Sequence, residues 1–484
     1  MKEDISEEIF RRRIKRLKLL DPFLLFSFCF CSLLLIPFLF MDGMFMDGEI
    51  YACVGRNLAD GNGTFWQPTF SSTYMTSYHE QPPLIFGIEA IFFKIFGGSF
   101  FTERIICLCL AIGAGYLIFR FWKIIFPDNN SFQKIAWLPI LFFLITPLTF
   151  WSFQNNVAEC YMVVFVLLSV YFQLKAWYSK SYFIIYCFFG GLALAASSMC
   201  KGVQGLFPIV LPTIWWIVLR DQKFTKAILQ TVIIISVPII FYGLLFLNDN
   251  IFASFKQYYH DRIEATFNIA STATTQSHFS LLWRLPMELI LPILLAFLCF
   301  IKSKNSESRN KKLILSFFLL GLSGILPLMV TLEQRRFYLL TGLPFITTAL
   351  AILAAPYALS LSGKLLQSVR TISILKMISL VLISITLIST IALAGKPKRD
   401  RNMLQDVQMI GKKCGEKAII SVPYEVFSIW SFQVYLNRYF KIALSVNEEN
   451  KYYISKKTSP KIPEGYLPVA LNTMEFNLFE KMKK

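Results

Sequence analysis

The sequence predicts an all-α polytopic membrane protein of about eleven transmembrane helices, with a small C-terminal α/β lobe outside the membrane. Two observations predict it. Of 484 residues, 55% are hydrophobic and only 16% charged, with a mean hydropathy of +0.54, whereas a soluble domain carries about a quarter charged residues. Apolar runs of about 20 residues also recur along the chain, and Lys and Arg cluster in alternate gaps between them. The net charge of +18 therefore reads as topology and contact with anionic membrane lipid, with no call for nucleic acid. The ten cysteines make no disulfide framework. Cys29, Cys31, Cys107, Cys109, Cys160, Cys187 and Cys299 lie in or beside apolar runs, where Cys behaves as a small hydrophobe.

Residues 1–20 are polar and basic (RRRIKRLK) and lead into an apolar run from Pro22 to Met41. That run is too long for a signal-peptide core and no small-x-small cleavage site follows, so it is an uncleaved first span with a cytoplasmic N-terminus. Pro82–Gly97, interrupted by Glu89 and Lys94, is about 16 residues, near the lower limit for a span. It reads as an interfacial or re-entrant helix. Further spans are expected near Ile105–Phe126, Ile135–Phe150, Met162–Trp177, Tyr182–Ser198, Leu206–Val218, Ile228–Leu247, Leu281–Phe300, Leu313–Thr331, Phe337–Leu359 and Ile372–Ala394. With this count Lys123/Lys134, Lys175/Lys180, Arg220/Lys223/Lys226, Lys302/Lys304/Arg309/Lys311/Lys312 and Lys364/Arg370/Lys376 all fall on the side of the N-terminus, as the positive-inside rule requires. Residues 1–396 then form one membrane domain whose first outer loop, 42–104, carries interfacial helices. Residues 397–484 form a soluble α/β domain on the outer face of the inner (plasma) membrane. Its tail alternates AIISV, a helical VFSIWSFQVYLNRYF, KIALSV, KYYIS and YLPVAL.

The first outer loop is where chemistry is expected. Connectors between membrane helices are usually about 2–8 residues; this one is several-fold longer and rich in Asp, Tyr, Trp and Gly, which points to a site. It supplies Asp47, Glu49, Arg56, Glu80 and Gln81. Other polar groups at outer ends of spans can line the same cavity: Glu159 in WSFQNNVAEC, Lys201 in SMCKGVQG, His278 in the 248–280 loop, and Arg335, Arg336 and Tyr338 in EQRRFY. Ionisable groups at membrane margins are costly unless functional or paired. Each has a plainer role beside the functional one. Asp42 and Asp60 sit beside glycines as turn residues, Glu49 and Arg56 lie one helical face apart and can pair, and Lys201 can snorkel to lipid phosphate. Arg335 and Arg336 break the positive-inside pattern, which favours an anionic partner held by bidentate contacts. The spacing of His260 and His278 fits no compact metal motif, so no metal ligands are assigned. Clustered carboxylates leave room for a divalent cation but require none.

The run MDGEIYACVGRNLADG…YHEQPPLIFGIEAIFFKIFGG…TERI resembles the first outer loop of the GT-C glycosyltransferases, in particular the family-39-like branch of protein O-mannosyltransferases and the lipid A aminoarabinose transferase. The matching positions are Asp47, Tyr51-Ala52, Pro82-Pro83-Leu84, Phe92–Gly97 and Arg104; further along NNVAE, CKGVQGLFP and RRFYLLTGLP are similar to the family's later motifs. The likeness runs in order over roughly residues 20–350. Two positions depart: Gln81 stands where the branches have Lys or His, and Glu159 where they have Asp. The resemblance implies a sugar donor linked by phosphate to a polyprenol, and transfer on the outer face to a lipid, glycan or protein acceptor. It implies Asp47 as the catalytic carboxylate, with Arg335, Arg336 and Lys201 at the leaving phosphate. The alternative class is a transporter or flippase of an amphiphilic lipid-linked substrate, for which substrate groups belong near mid-membrane on broken helices.

Overall fold

The computed structural model describes residues 21–127, 129–179, 181–265, 274–302, 308–446, 449–459 and 463–482. The basic segment 1–20, Lys180 and Lys304 of the expected cytoplasmic gaps lie outside the described residues, as does the side chain of Arg309. Eight described helices are long and apolar enough to cross a membrane, or nine if one bent pair counts as a span. They include Pro22–Leu39, Phe101–Ile125, Ala158–Tyr178, Phe224–Leu245, Leu343–Leu365 and Val369–Leu393.

The count is lower than about eleven because two expected spans are broken and two others, Tyr182–Ser198 and Leu206–Val218, run together in one helical stretch. Ser280–Glu288 and Ile290–Lys302 bend by 59°. Trp137–Leu144 and Pro147–Phe153 are separate short helices, since Pro147 opens a new helix at its first position and cannot continue the old one. Phe183–Leu219 is one apolar stretch of 37 residues, longer than the ~20 that cross a bilayer. It turns at Gly202, whose φ is +73°. Gly205 packs so closely on Ser197 that a Cβ there would fall 2.7 Å from the Ser197 carbonyl carbon. Residues eight apart in a continuous helix are about 12 Å apart, so the chain doubles back there.

The first and last described spans, Pro22–Leu39 and Val369–Leu393, pack together. Their C-terminal ends are tied by Gly395 N to Phe40 O at 2.9 Å, Asp42 N to Lys396 O at 2.9 Å and Lys398 N to Asp42 O at 2.8 Å. The first loop and the C-terminal lobe therefore emerge on the same face. On the other face the basic gaps close on helix ends: Lys226 Nζ donates to the Trp177 carbonyl, Lys312 Nζ to the Leu219 carbonyl at 3.4 Å, and Trp177 Nε1 to Asp221 at 3.0 Å. The core between the spans holds Trp122, Trp177 and Trp215 fully buried, while Leu380, Ile388 and Ile391 of the last span stay exposed, as suits lipid contact.

In the lobe, helix Arg401–Cys414 precedes β1 (Ile419–Ser421), helix Trp430–Phe440 precedes β2 (Ala443–Ser445), and β3 (Tyr452–Lys456), β4 (Tyr466–Val469) and β5 (Phe476–Lys481) follow. The sheet order is β2-β1-β3-β5-β4, with β1 parallel to β2 and β3, and β5 antiparallel to β3 and β4. The sequence reading did not anticipate β5, which joins β3 to β4 through FNLFEK. The buried carboxylate of Asp406 accepts from the amides of Met474, Glu475 and Phe476, fixing the entry of β5 to the first lobe helix.

The first loop begins with helix Met46–Ala59. Its close seat on the bundle depends on Gly48, where a Cβ would collide with the Asn155 carbonyl oxygen. Gly48→Ala should lower stability by about 1–3 kcal/mol, the range for overpacking, while Gly98→Ala, with nothing within 4 Å, should be far milder. Thermal unfolding of the purified protein in detergent checks this; equal melting for both would remove the constraint.

Candidate active site

Asp47 lies in the first turn of helix Met46–Ala59, with Phe45 as N-cap and no side-chain cap. It therefore does not cap its own helix, and its carboxylate is available to the cavity it faces. The helix start is held from the Gln154–Val157 corner. Asn155 Oδ1 accepts from Phe45 N at 2.9 Å, and Asn156 Nδ2 donates to Gly48 O at 3.2 Å and to Glu89 Oε1 at 2.7 Å. Asn156 adopts φ +49°, a left-handed conformation that Asn tolerates better than most residues. Tyr161 OH also donates to Glu89 Oε1 at 2.7 Å. Glu89 comes from helix Leu84–Phe96 and is wholly buried; it packs against Gly55, where a Cβ would fall 2.7 Å from its Oε2. Burial pushes this carboxyl up to about 8, against the pull of the bonds from Asn156 and Tyr161.

Asp47 lines a cavity of about 380 Å³ with Glu80, Gln81, Lys201, Arg262, Glu333, Arg335 and Tyr338. Phe45, Tyr51, Phe70, Met75, Tyr78, Phe337 and Trp430 are among the rest of the wall. Burial raises the Asp47 carboxyl above the ordinary aspartate value, and Lys201, Arg335 and Arg262 draw it back in that order. Lys201 ends helix Phe183–Lys201 and pairs with the buried Glu159 of the Ala158–Tyr178 span. Its Nζ also stands 4.3 Å from the centre of the Tyr338 ring, a cation–π contact that fixes the ammonium. Arg262 lies 3.7 Å from Glu333, which accepts from Tyr338 OH at 3.4 Å; Tyr78 OH donates to Glu80 at 3.4 Å.

Of the eleven residues singled out from the sequence, Asp47, Glu80, Gln81, Lys201, Arg335 and Tyr338 line this cavity, and Glu159 supports it through Lys201. Four stand elsewhere. Glu49 is buried 3.8 Å from Arg104, and burial raises its carboxyl while Arg104 opposes the shift. Arg56 does not pair with Glu49. It donates at 2.7 Å to the carbonyls of Asn437 and Arg438, tying the lobe to the loop. Arg336 is paired with Glu288 and lies beside Trp151. His278 is exposed and bonds the Met329 carbonyl at 2.8 Å. The turn residues also have partners: Asp42 accepts from Tyr439 OH, and Asp60 pairs with Lys441 at 2.7 Å. Other lining residues lie outside those eleven, among them Glu333, Arg262, which sits in a mixed-charge loop with no motif around it, and Trp430, which comes from the lobe, whose sequence carries no catalytic signature. Among the described residues no three His, Cys, Asp or Glu side chains gather as metal ligands would.

A second, almost wholly apolar groove of about 380 Å³ adjoins the polar cavity. Pro82, Gly202, Val203, Leu206, Tyr242, Phe246, Phe255 and Ile263 are among its lining.

A bundle of membrane helices, a long first loop packed under a small α/β lobe and a polar cavity at their junction make up the fold. The sequence profile described as dolichyl-phosphate-mannose-protein mannosyltransferase matches residues 80–246. ArnT from Cupriavidus metallidurans in the apo state is similar in fold, with a TM-score of 0.62 at 12% identity, over 92% of this chain and 95% of that one. The same protein bound to undecaprenyl phosphate gives 0.61 at 11% identity, over 94% and 97%. The archaeal oligosaccharyltransferase AglB from Archaeoglobus fulgidus, in complex with an inhibitory peptide and a dolichol-phosphate, gives 0.50 at 11% identity, over 86% and 66%. No curated protein matches the sequence. The chain has the GT-C fold, and the superfamily its motifs resemble is the one these matches return.

Because burial keeps Glu89 neutral near pH 7, Glu89→Gln should fold and melt close to the native protein. Glu89→Ala strands Asn156 and Tyr161, a loss of about 1–3 kcal/mol for buried polar groups left unpaired. Thermal unfolding separates the two; a Gln variant as unstable as the Ala variant would mean that the carboxylate's charge is required.

Proposed function

We propose that this protein transfers a sugar from a polyprenyl-phosphate-linked donor to a lipid, glycan or protein acceptor at the outer surface of the inner membrane. The observation that carries this is the wall between the two cavities. At three places consecutive residues divide across it: Gln81, Lys201 and Arg262 line the polar cavity, while Pro82, Gly202 and Ile263 line the apolar groove. An amphiphile with a phosphate head and an isoprenoid tail fits that division, its head among the cations and its tail in the groove. A flippase would instead place substrate groups near mid-membrane, whereas here the polar residues gather beside the loop and lobe. The orientation, with the N-terminus cytoplasmic and the lobe outside, rests on the basic gaps.

In the proposed reaction an acceptor hydroxyl oxygen attacks the anomeric carbon of the donor sugar. The bond from that carbon to the phosphate oxygen breaks, and polyprenyl phosphate leaves with the electron pair. Asp47 accepts the acceptor's proton, a general-base contribution commonly ~10²–10⁴-fold. Lys201, Arg262 and Arg335 hold the leaving phosphate, where fixed countercharge in a water-poor site acts most strongly. Glu159 orients Lys201, and Tyr338 roofs it.

Asp47→Asn should fold and bind donor yet lose transfer, while Asp42→Asn and Asp60→Asn keep most of it. Asp47 works as the carboxylate, so activity falls as pH drops through its raised pKa. The acid limb of kcat/KM should therefore lie above the ~3.9 of an ordinary aspartate. Lys201→Met, which removes the main cation holding that value down, should move the limb higher still. Release of polyprenyl phosphate from labelled donor across pH measures both, and substantial transfer by Asp47→Asn would end the assignment.

The two neighbouring arginines should separate. Arg335→Ala should weaken donor use by about 1.5–3 kcal/mol, the worth of a hydrogen bond to a charged group. Arg336→Ala strands Glu288 and should chiefly lower thermal stability. Donor KM beside melting temperature for both variants decides; the reverse pattern would hand the phosphate to Arg336.

A further inference from the structure

The lining of the polar cavity includes two chemically different clusters. One is charged and linked through its own contacts: Lys201 with Glu159 and the Tyr338 ring, Tyr338 with Glu333, and Glu333 with Arg262. The other is Phe70, Met75 and Trp430. Trp430 opens lobe helix Trp430–Phe440, with its ring centre 6.3 Å from that of Phe70 and 5.4 Å from that of Tyr74. Tyr74 in turn meets Phe427 edge-on at 5.3 Å.

This aromatic cluster is held from both sides. Phe70 N donates to Met75 O at 3.0 Å and Ser71 N to Tyr74 O at 3.2 Å, making a tight turn of residues 70–75. Met75 closes that turn with φ +48°, a costly conformation for a side chain of its size, kept only where surroundings enforce it. The lobe supplies the enforcement: Asn437 Nδ2 donates to Phe70 O at 2.6 Å, and the Leu444 carbonyl accepts from Thr73 Oγ1 at 2.7 Å.

We infer that the Trp430 side of the cavity is the acceptor subsite, and that it takes an uncharged saccharide hydroxyl rather than a phosphate. This rests on the glycosyl-transfer reading above. The donor's phosphate belongs with Lys201, Arg262 and Arg335, which leaves the acceptor the cluster of Phe70, Met75 and Trp430. That cluster contributes no cation to the described lining, so a second phosphate would meet no countercharge from it. Aromatic faces and a thioether suit the apolar C–H faces of a sugar ring, and Asp47 lies on the same cavity wall to take the proton of its hydroxyl. The lobe thereby acts in specificity: through Trp430 it chooses the acceptor, while the membrane helices choose the donor.

The test uses the full-length protein in detergent with labelled undecaprenyl-phosphate sugars and three soluble acceptor probes: a neutral β-linked glucosamine disaccharide, the same disaccharide carrying a 1-phosphate, and a Ser/Thr-containing peptide. Transfer to a ring hydroxyl of the disaccharide is expected, with the 1-phosphate neither required nor modified. Trp430→Leu should raise the disaccharide KM about tenfold, equivalent to one aromatic contact of the stronger kind. Its donor KM should stay within about twofold, and Trp430→Phe, which keeps a ring, should recover most of the loss and controls for lobe folding. Transfer only to the phosphate oxygen, transfer only to the peptide, or a rise in donor KM without one in acceptor KM would overturn the inference. No release of undecaprenyl phosphate from any donor would instead sink the transferase reading beneath it.

Discussion

The arrangement depends on one contact: the start of helix Met46–Ala59 against the corner formed by Asn155 and Asn156. Gly48 has no side chain, and only that lets the helix backbone lie on the Asn155 carbonyl. From there the constraint spreads. Asn156 must turn left-handed to reach both Gly48 O and Glu89, and Glu89 must be neutral to stay buried with a single bonded oxygen. Gly55, one heptad after Gly48, gives the same helix a second close approach, this time to Glu89 itself. Asp47 is thus fixed by its neighbours' backbones rather than by bonds of its own, which leaves its carboxylate unspent.

The lobe is joined to this joint by buried charge. Arg438 reaches Glu103 at 2.7 Å and the carbonyls of Gly98 and Ser99 at 2.8 and 2.9 Å, while Arg56 donates to Asn437 and Arg438. Burying guanidinium groups is unfavourable unless their donors are met, and here nearly every contact crosses between loop and lobe. Separating the two would leave both arginines and Glu103 uncompensated. The lobe therefore holds a fixed position over the cavity, and Trp430 reaches the wall as a consequence. Nearby, burial together with Arg104 and Arg399 lowers the Lys398 ammonium to about 8.

Much of this was legible in the chain because it is written in one-dimensional patterns. Apolar length and basic gaps reveal membrane spans, and the long first loop points to the cavity that Asp47 lines. Breaks within spans were less legible: the apolar runs 135–150 and 281–300 read as continuous, yet the first divides into two short helices and the second bends by 59°. The turn at Gly202, by contrast, falls in the gap expected between the spans ending at Ser198 and beginning at Leu206. The arginines were harder still. Arg335 and Arg336 are equivalent by sequence, yet Glu288, 48 residues away, takes Arg336 and leaves Arg335 at the cavity. Arg56 read either as a substrate contact or as the local partner of Glu49; its partners lie 381 and 382 residues along. Long-range pairing has no local signature, so charged residues in a promising loop divide between site and scaffold only when the fold is known.

The charge balance of the cavity then has a consequence for the proposed reaction. Its lining holds three carboxylates, Asp47, Glu80 and Glu333, and three cations, Lys201, Arg262 and Arg335. A phosphate diester entering among the cations adds negative charge close to Asp47 and competes for the countercharge that keeps its affinity for protons low. A nearby like charge favours the protonated carboxyl, so donor binding makes Asp47 a stronger base at the moment an acceptor proton must be removed. As the bond to phosphate breaks, negative charge gathers on the leaving oxygen and draws the cations further from Asp47, strengthening its hold on the proton just taken. When polyprenyl phosphate departs, the cations return to Asp47 and the proton is released. Lys201 is central to this exchange because it is the leading countercharge on Asp47 and Glu159 and the Tyr338 ring fix it, so what shifts is the sharing of its charge rather than its position. A balanced site of this kind gains its basicity from the substrate, and needs no permanently strong base exposed at the membrane surface.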